Sequence, residues 1–225
     1  MTREKPAQTT LRQIDGPEAF AEAFSVSRET TERLAVYASV LVHWQKSTNL
    51  VAPSTIGEVW HRHFADSAQL VALAPEGARV WLDIGSGAGF PGLVVALLTM
   101  GSDIRVHLVE SDTRKCAFLR EVARQTGVPV DIHNARAENP ATQARFGPVD
   151  VVSARAVAPL PRLLEVSQAY LVGGALGLFL KGREVAGELA AARQVWSFEA
   201  ELRSSCTDPE GRVVVVRNLA RTPEV

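Results

Sequence analysis

The tightest constraint on this chain is a glycine-rich turn. The β-rich run Arg79 to Ile84 ends in Gly85-Ser86-Gly87-Ala88-Gly89-Phe90-Pro91-Gly92 and passes into the apolar run Leu93 to Met100. Glycines let a backbone turn tightly and approach a ligand closely. The helix that follows offers unpaired N–H groups, which suit a phosphate or the carboxylate of an amino acid. A strand that turns through glycines into a helix belongs to a parallel sheet, and ligands there bind at the carboxyl ends of the strands, where strand order reverses.

The remaining chain keeps that alternation. Ile104 to Val109, Val128 to His133, Val149 to Ser153 and Ala175 to Leu180 read as strands. Asp112 to Gln125, Leu160 to Leu171 and Glu184 to Val195 read as helices, with Gly127 placed to end the first of them. Phe198 to Ser204 and Arg212 to Val216 read as a closing antiparallel pair. Ahead of this, residues 17 to 75 read as helices. Ser27 is placed to cap the second, Leu34, Tyr37, Leu41 and Trp44 recur at helical spacing, and a third follows Pro53 and Ser54. Residues 1 to 15 are polar and expected to be loose. The expected architecture is α/β and Rossmann-like, a mostly parallel sheet covered on both faces. A helical extension over 1–75 precedes a single compact core over 76–225.

Two ligands compete for the turn. Gly87, Gly89 and Gly92 match the dinucleotide fingerprint G-x-G-x-x-G, and Glu110 lies 18 positions after Gly92 at the end of the second strand, where an acid would hold a ribose. That fingerprint should begin at the strand end, yet here Gly85 already opens the loop. From Asp83 to Gly89 the pattern is instead Asp-x-Gly-x-Gly-x-Gly, which resembles the S-adenosylmethionine (SAM) loop of class I methyltransferases. A carboxylate at Asp83 suits a ligand's amino group and repels a pyrophosphate. The residues favour SAM and leave a nicotinamide cofactor as the rival.

Composition narrows the setting. A chain that is 46% apolar and 22% charged, with two Cys, is neither disordered nor held by a disulfide framework. The cysteines Cys116 and Cys206 fit a reduced, cytoplasmic setting. No apolar run approaches a membrane span, and the N-terminus lacks a secretory apolar region. The net charge of −1 gives no long-range pull on nucleic acid, so any basic surface is local.

The acceptor is less legible. Methylation at cytosine C5 needs a Cys nucleophile, and neither cysteine sits in a convincing loop. Amino-group methylation of nucleic acids is associated with a Pro-Pro-aromatic loop after the fourth strand, where this chain has Ser153-Ala154-Arg155-Ala156-Val157-Ala158-Pro159-Leu160. An acceptor with a free lone pair needs neither device. Guanine N7 is one such atom, although these residues alone do not select it.

Several separated motifs carry a resemblance. They are Trp44 through Asn49-Leu50, Arg62-His63 with Asp66-Ser67, Leu82 to Gly92 with its Phe90-Pro91-Gly92 ending, Val109-Glu110-Ser111 with Lys115 and Phe118-Leu119, Arg136-Ala137-Glu138, the segment Ser153 to Leu160, and Lys181-Gly182. Together they resemble the small-subunit ribosomal RNA guanine-N7 methyltransferases, the glucose-inhibited division protein B family, over about residues 35 to 185. The resemblance implies Gly85 and Phe90 against the cofactor, Glu110 on its ribose hydroxyls, and Ala137 and Glu138 beside its adenine. It implies Arg155 as the catalytic position, where cofactor and RNA meet. It also implies methylation of one guanine in the decoding region of 16S rRNA. The expected substrate is a small ribosomal subunit or an assembly intermediate rather than naked RNA. A small-molecule methyltransferase and a non-enzymatic SAM-binding module are the rival readings; no oligomeric state is predicted.

Among single residues, Arg155, Lys181 and Arg183 follow the fourth and fifth strands on one sheet edge and are candidates for a local RNA-binding patch, with Arg136 beside them. The blander role for Arg155 is an ion pair with Glu138 or another acid. Arg114, Lys115, Arg120 and Arg124 share one helix, expected to be a solvated face. His61 and His63 point to different faces of a helix, which argues against a metal site. His63 and Asp66 suit helix-to-sheet hydrogen bonding or a local i, i+3 pair. Trp44 and Trp60 are expected in the core.

Overall fold

The computed structural model describes residues 11 to 222. Its helices are α1 (Pro17–Phe24), α2 (Arg28–Gln45), α3 (Asp66–Ala68), α4 (Gly92–Leu98), α5 (Thr113–Thr126), α6 (Pro140–Gln143), α7 (Leu160–Leu171) and α8 (Val185–Ala192). Its strands are β1 (Val80–Ile84), β2 (Arg105–Glu110), β3 (Asp131–Asn134), β4 (Val151–Arg155), β5 (Leu176–Lys181), β6 (Trp196–Ser204) and β7 (Arg212–Arg221). They form one seven-stranded sheet in the order β3-β2-β1-β4-β5-β7-β6. The first five strands are parallel, and β7 runs antiparallel to both β5 and β6. Strand order reverses between β1 and β4, so the crevice at their carboxyl ends is where a ligand is expected.

Local chemistry sets the element boundaries. The Ser27 side chain accepts from Thr30 N at the start of α2, and Asp112 accepts from Arg114 N and Lys115 N at the start of α5. Gly127 closes α5 in the left-handed region at φ 68°. The third strand starts later than the β-rich run from Val128 suggests, because Pro129 has no N–H to give a ladder. The third helix expected after Pro53 is broken into a 3₁₀ segment Pro53–Glu58, a π-helical segment Val59–Ala65, the single turn α3 and a 3₁₀ turn Val71–Leu73. Across the π-helical segment His61, His63, Phe64 and Ala65 are buried and Arg62 alone of these five is exposed. The expectation of looseness fails for the part of 1 to 15 that is described. Leu11 N donates to Cys206 O, and Ile14 is buried with its N–H on His61 Nδ1. Residues 1 to 10 lie outside the described residues.

Strand residues alternate between two apolar layers, as period-2 geometry requires. Trp81, Leu108 and Val151 face the layer with α4 and α5, whereas Leu82, Val109 and Val152 face the layer with α7 and α8. The first layer also takes in the helical extension through Phe20, Leu34, Tyr37, Leu41 and Phe64. Trp60 packs 5.0 Å from the Phe64 ring, and Trp44 packs 5.9 Å from Phe118, so both are packed against the core as expected. Extension and sheet share one core. Phe118→Ala should therefore cost about 3–5 kcal/mol. In urea, Trp fluorescence and far-UV circular dichroism should still report one coincident transition. Two separate transitions would mean that the extension melts on its own.

Candidate active site

The glycine turn is stereochemically obligate. Gly85, Gly87 and Gly89 have φ of 65°, 55° and 88°, where side chains are strained. A Cβ at Gly85 would lie 2.6 Å from Val157 Cγ2, and one at Gly89 would lie 2.6 Å from both Leu93 Cδ1 and Tyr37 Oη. The turn is also pinned from below. Gly85 N and Ser86 N donate to Val109 O at 2.8 and 3.2 Å, Gly89 N donates to Ser86 O at 2.6 Å, and the Tyr37 hydroxyl donates to Ala88 O.

Above this turn is a cavity of about 820 Å³ lined by Gly85, Ser86, Gly87, Phe90 and Glu110 from the core and by Asn49 to Pro53, Thr55 and His63 from the extension. Glu110 and Val157 are shared with a smaller lobe of about 250 Å³, which Ala135, Arg136, Ala137 and Glu138 line on one side. Glu110 is buried. Its Oε2 accepts from Gly87 N at 2.8 Å and its Oε1 from Asp112 N at 2.7 Å. Each carboxylate oxygen keeps a further lone pair. A fixed acceptor-only group between a glycine cradle and a partly apolar lobe fits an adenosine bearing an amino-acid tail, the shape of SAM.

Asp83 is placed differently from the sequence expectation. It is fully buried beneath the turn and does not line the cavity, so it is not positioned to meet a ligand's amino group. Its Oδ1 accepts from Ser153 Oγ at 2.6 Å, and Ser153 Oγ in turn accepts from Trp81 Nε1 at 2.8 Å. Burial pushes the Asp83 carboxyl up to about 6, against the opposing pull of the Ser153 hydrogen bond. Its Oδ1 supports the turn from below, while its buried Oδ2 has no hydrogen-bond partner among the described residues.

Arg155, at the end of β4, points into the extension. Its Nη1 donates to Arg62 O at 2.9 Å and lies 3.4 Å from Asp66 Oδ2. Its Nη2 donates to His63 Nδ1 at 2.8 Å, and its Cζ lies 4.8 Å from the Phe90 ring centre. The acid that pairs with it is thus Asp66; Glu138 lies near Arg162 instead, at 3.5 Å. His63 and Asp66 converge on Arg155 rather than on each other. Arg155 has no acceptor to offer, so His63 Nδ1 must accept, and its Nε2–H faces Thr55 Oγ1 at 2.8 Å. Thr55 Oγ1 passes its own proton to Ala52 O. Burial first, and the nearby guanidinium of Arg155 second, push the His63 imidazole down to about 3, so it is neutral here. Its ring also stacks on Phe90 at 4.8 Å and 19°. After Arg155 the chain turns at Ala156, which has φ 55°, and brings Val157 over Gly85.

The expected basic patch does not assemble. Lys181 is 8% exposed, donates to Ala158 O at 2.6 Å and pairs with Glu188 at 2.7 Å. Its charge fastens the loop after β4 and is not offered to solvent. Arg155 is turned inward, and Arg183 is exposed with Glu210 3.7 Å away. Arg136 is exposed at the rim of the smaller lobe. On α5, Arg114 and Arg120 are exposed, Arg124 pairs with Glu121, and Lys115 lines the large cavity.

Comparison with known proteins agrees with this geometry. The family model described as GidB, rRNA small subunit methyltransferase G, matches residues 30–214. The chain belongs to this family. A ribosomal RNA small subunit methyltransferase G of Parvibaculum lavamentivorans is 51% identical over 208 residues, covering 92% of this chain and 91% of that one. That of Rhodospirillum centenum is 53% identical over 201 residues, covering 89% and 90%. Among solved structures, an O-methyltransferase from Bacillus cereus in complex with SAH aligns at TM-score 0.57 and 15% identity, covering 90% of this chain and 96% of that one. A methyltransferase from Geobacter sulfurreducens aligns at TM-score 0.54 and 13% identity, covering 92% and 98%. The fold is that of the class I SAM-dependent methyltransferases.

For this member of the family, sequence reasoning assigned no site role to Tyr37, Thr55 and Ser153, which hold the turn, His63 and Asp83. One signal was present: His63 and Asp66 suit helix-to-sheet hydrogen bonding, and both meet Arg155 at the end of β4. The neutral state of His63 has a measurable consequence. An unfolded His takes up a proton near pH 6.5, while folded His63 resists until about pH 3. Over that window the unfolded state binds more protons, so wild-type stability is lost as pH falls. His63→Gln keeps an acceptor for Arg155 and a donor for Thr55 but does not titrate. Thermal melts should show wild type losing ground to this variant between pH 6.5 and 4. A gap independent of pH would contradict the neutral, buried imidazole.

Proposed function

We propose that this chain transfers a methyl group from SAM to N7 of one guanine in the decoding region of 16S rRNA, acting in the cytoplasm on a small ribosomal subunit or an assembly intermediate. The observation that carries the cofactor assignment is Glu110, whose carboxylate is fixed by Gly87 N and Asp112 N where the glycine cradle meets the Ala137 lobe. Family membership carries the RNA assignment.

When bound, SAM supplies a methyl group activated by its sulfonium. Everything else falls to the chain. Glu110 takes the ribose hydroxyls, Ala137 and Glu138 border the adenine, and the glycine turn receives the amino-acid end. Gly85 and Phe90 shape the wall against it. Attack by a neutral N7 lone pair requires no base, and the site supplies none: both nitrogens of His63 are already engaged. Nor is a thiolate available, because burial pushes the Cys116 thiol up and the Cys206 thiol to about 12. The contribution is alignment and exclusion of water. Arg155 acts as a positioning residue: Nη1 and Nη2 hold the loop after β4 to the extension.

Radiolabelled SAM incubated with small subunits, or with naked 16S RNA, from cells lacking this gene tests the reading. Label in 7-methylguanosine is expected, and more of it from subunits than from naked RNA. Retained SAM binding with no label in either RNA would remove the RNA assignment in favour of a small-molecule acceptor. Glu110→Gln loses the charge and one of two acceptor oxygens. It should weaken SAM binding about 10- to 100-fold by calorimetry; unchanged affinity would remove Glu110 from the ribose site.

A further inference from the structure

The loop after β4 is a partition between two cavities. Arg155, Ala156 and Val157, with Arg62 and Asp66 from the extension, line the large cofactor cavity on one side. The same five residues line a separate chamber of about 450 Å³ on the other. That chamber lies at the carboxyl ends of β4 and β5 and the amino end of β7, and the β6–β7 hairpin loop closes it with Thr207, Asp208 and Gly211.

The charges in this chamber pair off unevenly. Arg155 is met by Asp66 and Lys181 by Glu188. The Arg212 guanidinium donates to the carbonyls of Pro209 and Gly211, both at 2.7 Å. Arg62 and Asp208 remain, each without an ion-pair partner among the described residues; Arg62 is exposed, whereas Asp208 is half-buried and its Oδ1 accepts from Glu210 N at 2.9 Å. The hairpin loop that presents it is fastened to the extension. Thr207 Oγ1 donates to Asp66 Oδ1 at 3.0 Å, Thr207 O faces His61 Nε2 at 3.0 Å, and Cys206 N donates to Gln69 Oε1 at 3.0 Å. Asp66 thus fixes both the partition and the loop that carries the unpaired carboxylate.

Resting on the function proposed above, we propose that this chamber receives the acceptor guanine and that Asp208 selects it by accepting from N1–H and the N2 amino group. A carboxylate offers two acceptor oxygens to two donors. Adenine would turn the lone pair of its own N1 toward that carboxylate and be rejected. N1 and N2 lie on the edge of the purine away from N7, so a base gripped there leaves N7 free to face the partition and the cofactor cavity beyond. The preorganised hairpin loop supplies the rigidity that such readout needs.

The test uses the full chain and small subunits reconstituted with 16S RNA carrying either guanine or inosine, which lacks the N2 amino group, at the methylated position. Wild type should methylate the inosine substrate about 10-fold or more less efficiently in kcat/KM. Asp208→Asn keeps the side-chain volume and an oxygen for Glu210 N. It should lose about 10- to 100-fold in kcat/KM on the guanine substrate, respond little to the inosine exchange, and bind SAM as wild type does. The SAM affinity doubles as the check that the variant is folded; should it be lost, Asp208→Glu, with the carboxylate kept but displaced, is expected to retain sensitivity to inosine. Wild-type activity with an Asp208→Asn variant that is equally active, or equally sensitive to inosine, overturns this assignment alone. Absence of RNA methylation by wild type overturns the function on which it rests.

Discussion

The site depends on one buried guanidinium. Arg155 reaches from the end of β4 to Asp66, His63 and the carbonyl of Arg62, so one side chain joins the sheet to the extension. Such a group is costly to bury and is kept in place by its partners; removing one of them would leave an uncompensated charge, an effect of about 3–5 kcal/mol. The neutral state of His63 follows from its burial first and from the neighbouring Arg155 guanidinium second. Along the series Thr55–His63–Arg155, the partners fix His63 Nδ1 as the acceptor and Nε2 as the donor. Geometry and charge state are set together, and neither leaves His63 free to serve as a proton acceptor.

The glycine turn is the second constraint, and it works by exclusion. Side chains at Gly85 and Gly89 would collide with Val157, Leu93 and Tyr37. Gly92 is closed off as well, because a Cβ there would meet Leu108 and Asp83. Asp83 thus occupies the space under the first turn of α4, bonded to Ser153, rather than the space above the loop. Asp83 is fully buried there, and burial raises its carboxyl against the pull of the Ser153 hydrogen bond. The hydrogen-bonded series Trp81–Ser153–Asp83 ties β1 to β4 at the place where strand order reverses.

Strand and helix placement was legible because it rests on short-range chemistry: apolar periodicity, the Ser27 and Asp112 caps, and Gly127 as a helix end. Glu110 was legible for the same reason, as an acid at the end of the second strand after a glycine turn. The partners of Arg155 were not, since they come from a segment about 90 positions earlier, where a π-helical turn buries His61 and His63 together. Helical periodicity sends those two side chains to different faces, and so they go: His61 meets Ile14 and Thr207 while His63 meets Thr55 and Arg155, but periodicity does not name those partners. Lys181 was misread because a sequence shows a charge but not its neutraliser; Glu188 lies one helix away and takes up that charge. The patterns around Asp83 matched a ligand loop, but burial decided which face of the loop its carboxylate serves.

Electrostatics then bear on how RNA is met. Arg155 and Lys181 are spent on internal contacts, and the net charge is −1. Binding driven by phosphate neutralisation scales with the number of cations offered together, and here the exposed ones are scattered: Arg62 and Arg136 lie at the cavity rims and Arg114 and Arg120 on α5, while others, such as Arg12, Arg79, Arg145 and Arg217, line neither cavity. A protein with that distribution gathers little affinity from the backbone of a flexible RNA and has little long-range steering. Its selectivity must come from contacts that need the acceptor presented in a fixed shape. Under the function proposed above, a ribosomal particle would supply such a shape without the protein having to order the RNA itself, and the chamber proposed for the acceptor would take a base already displaced from its stack.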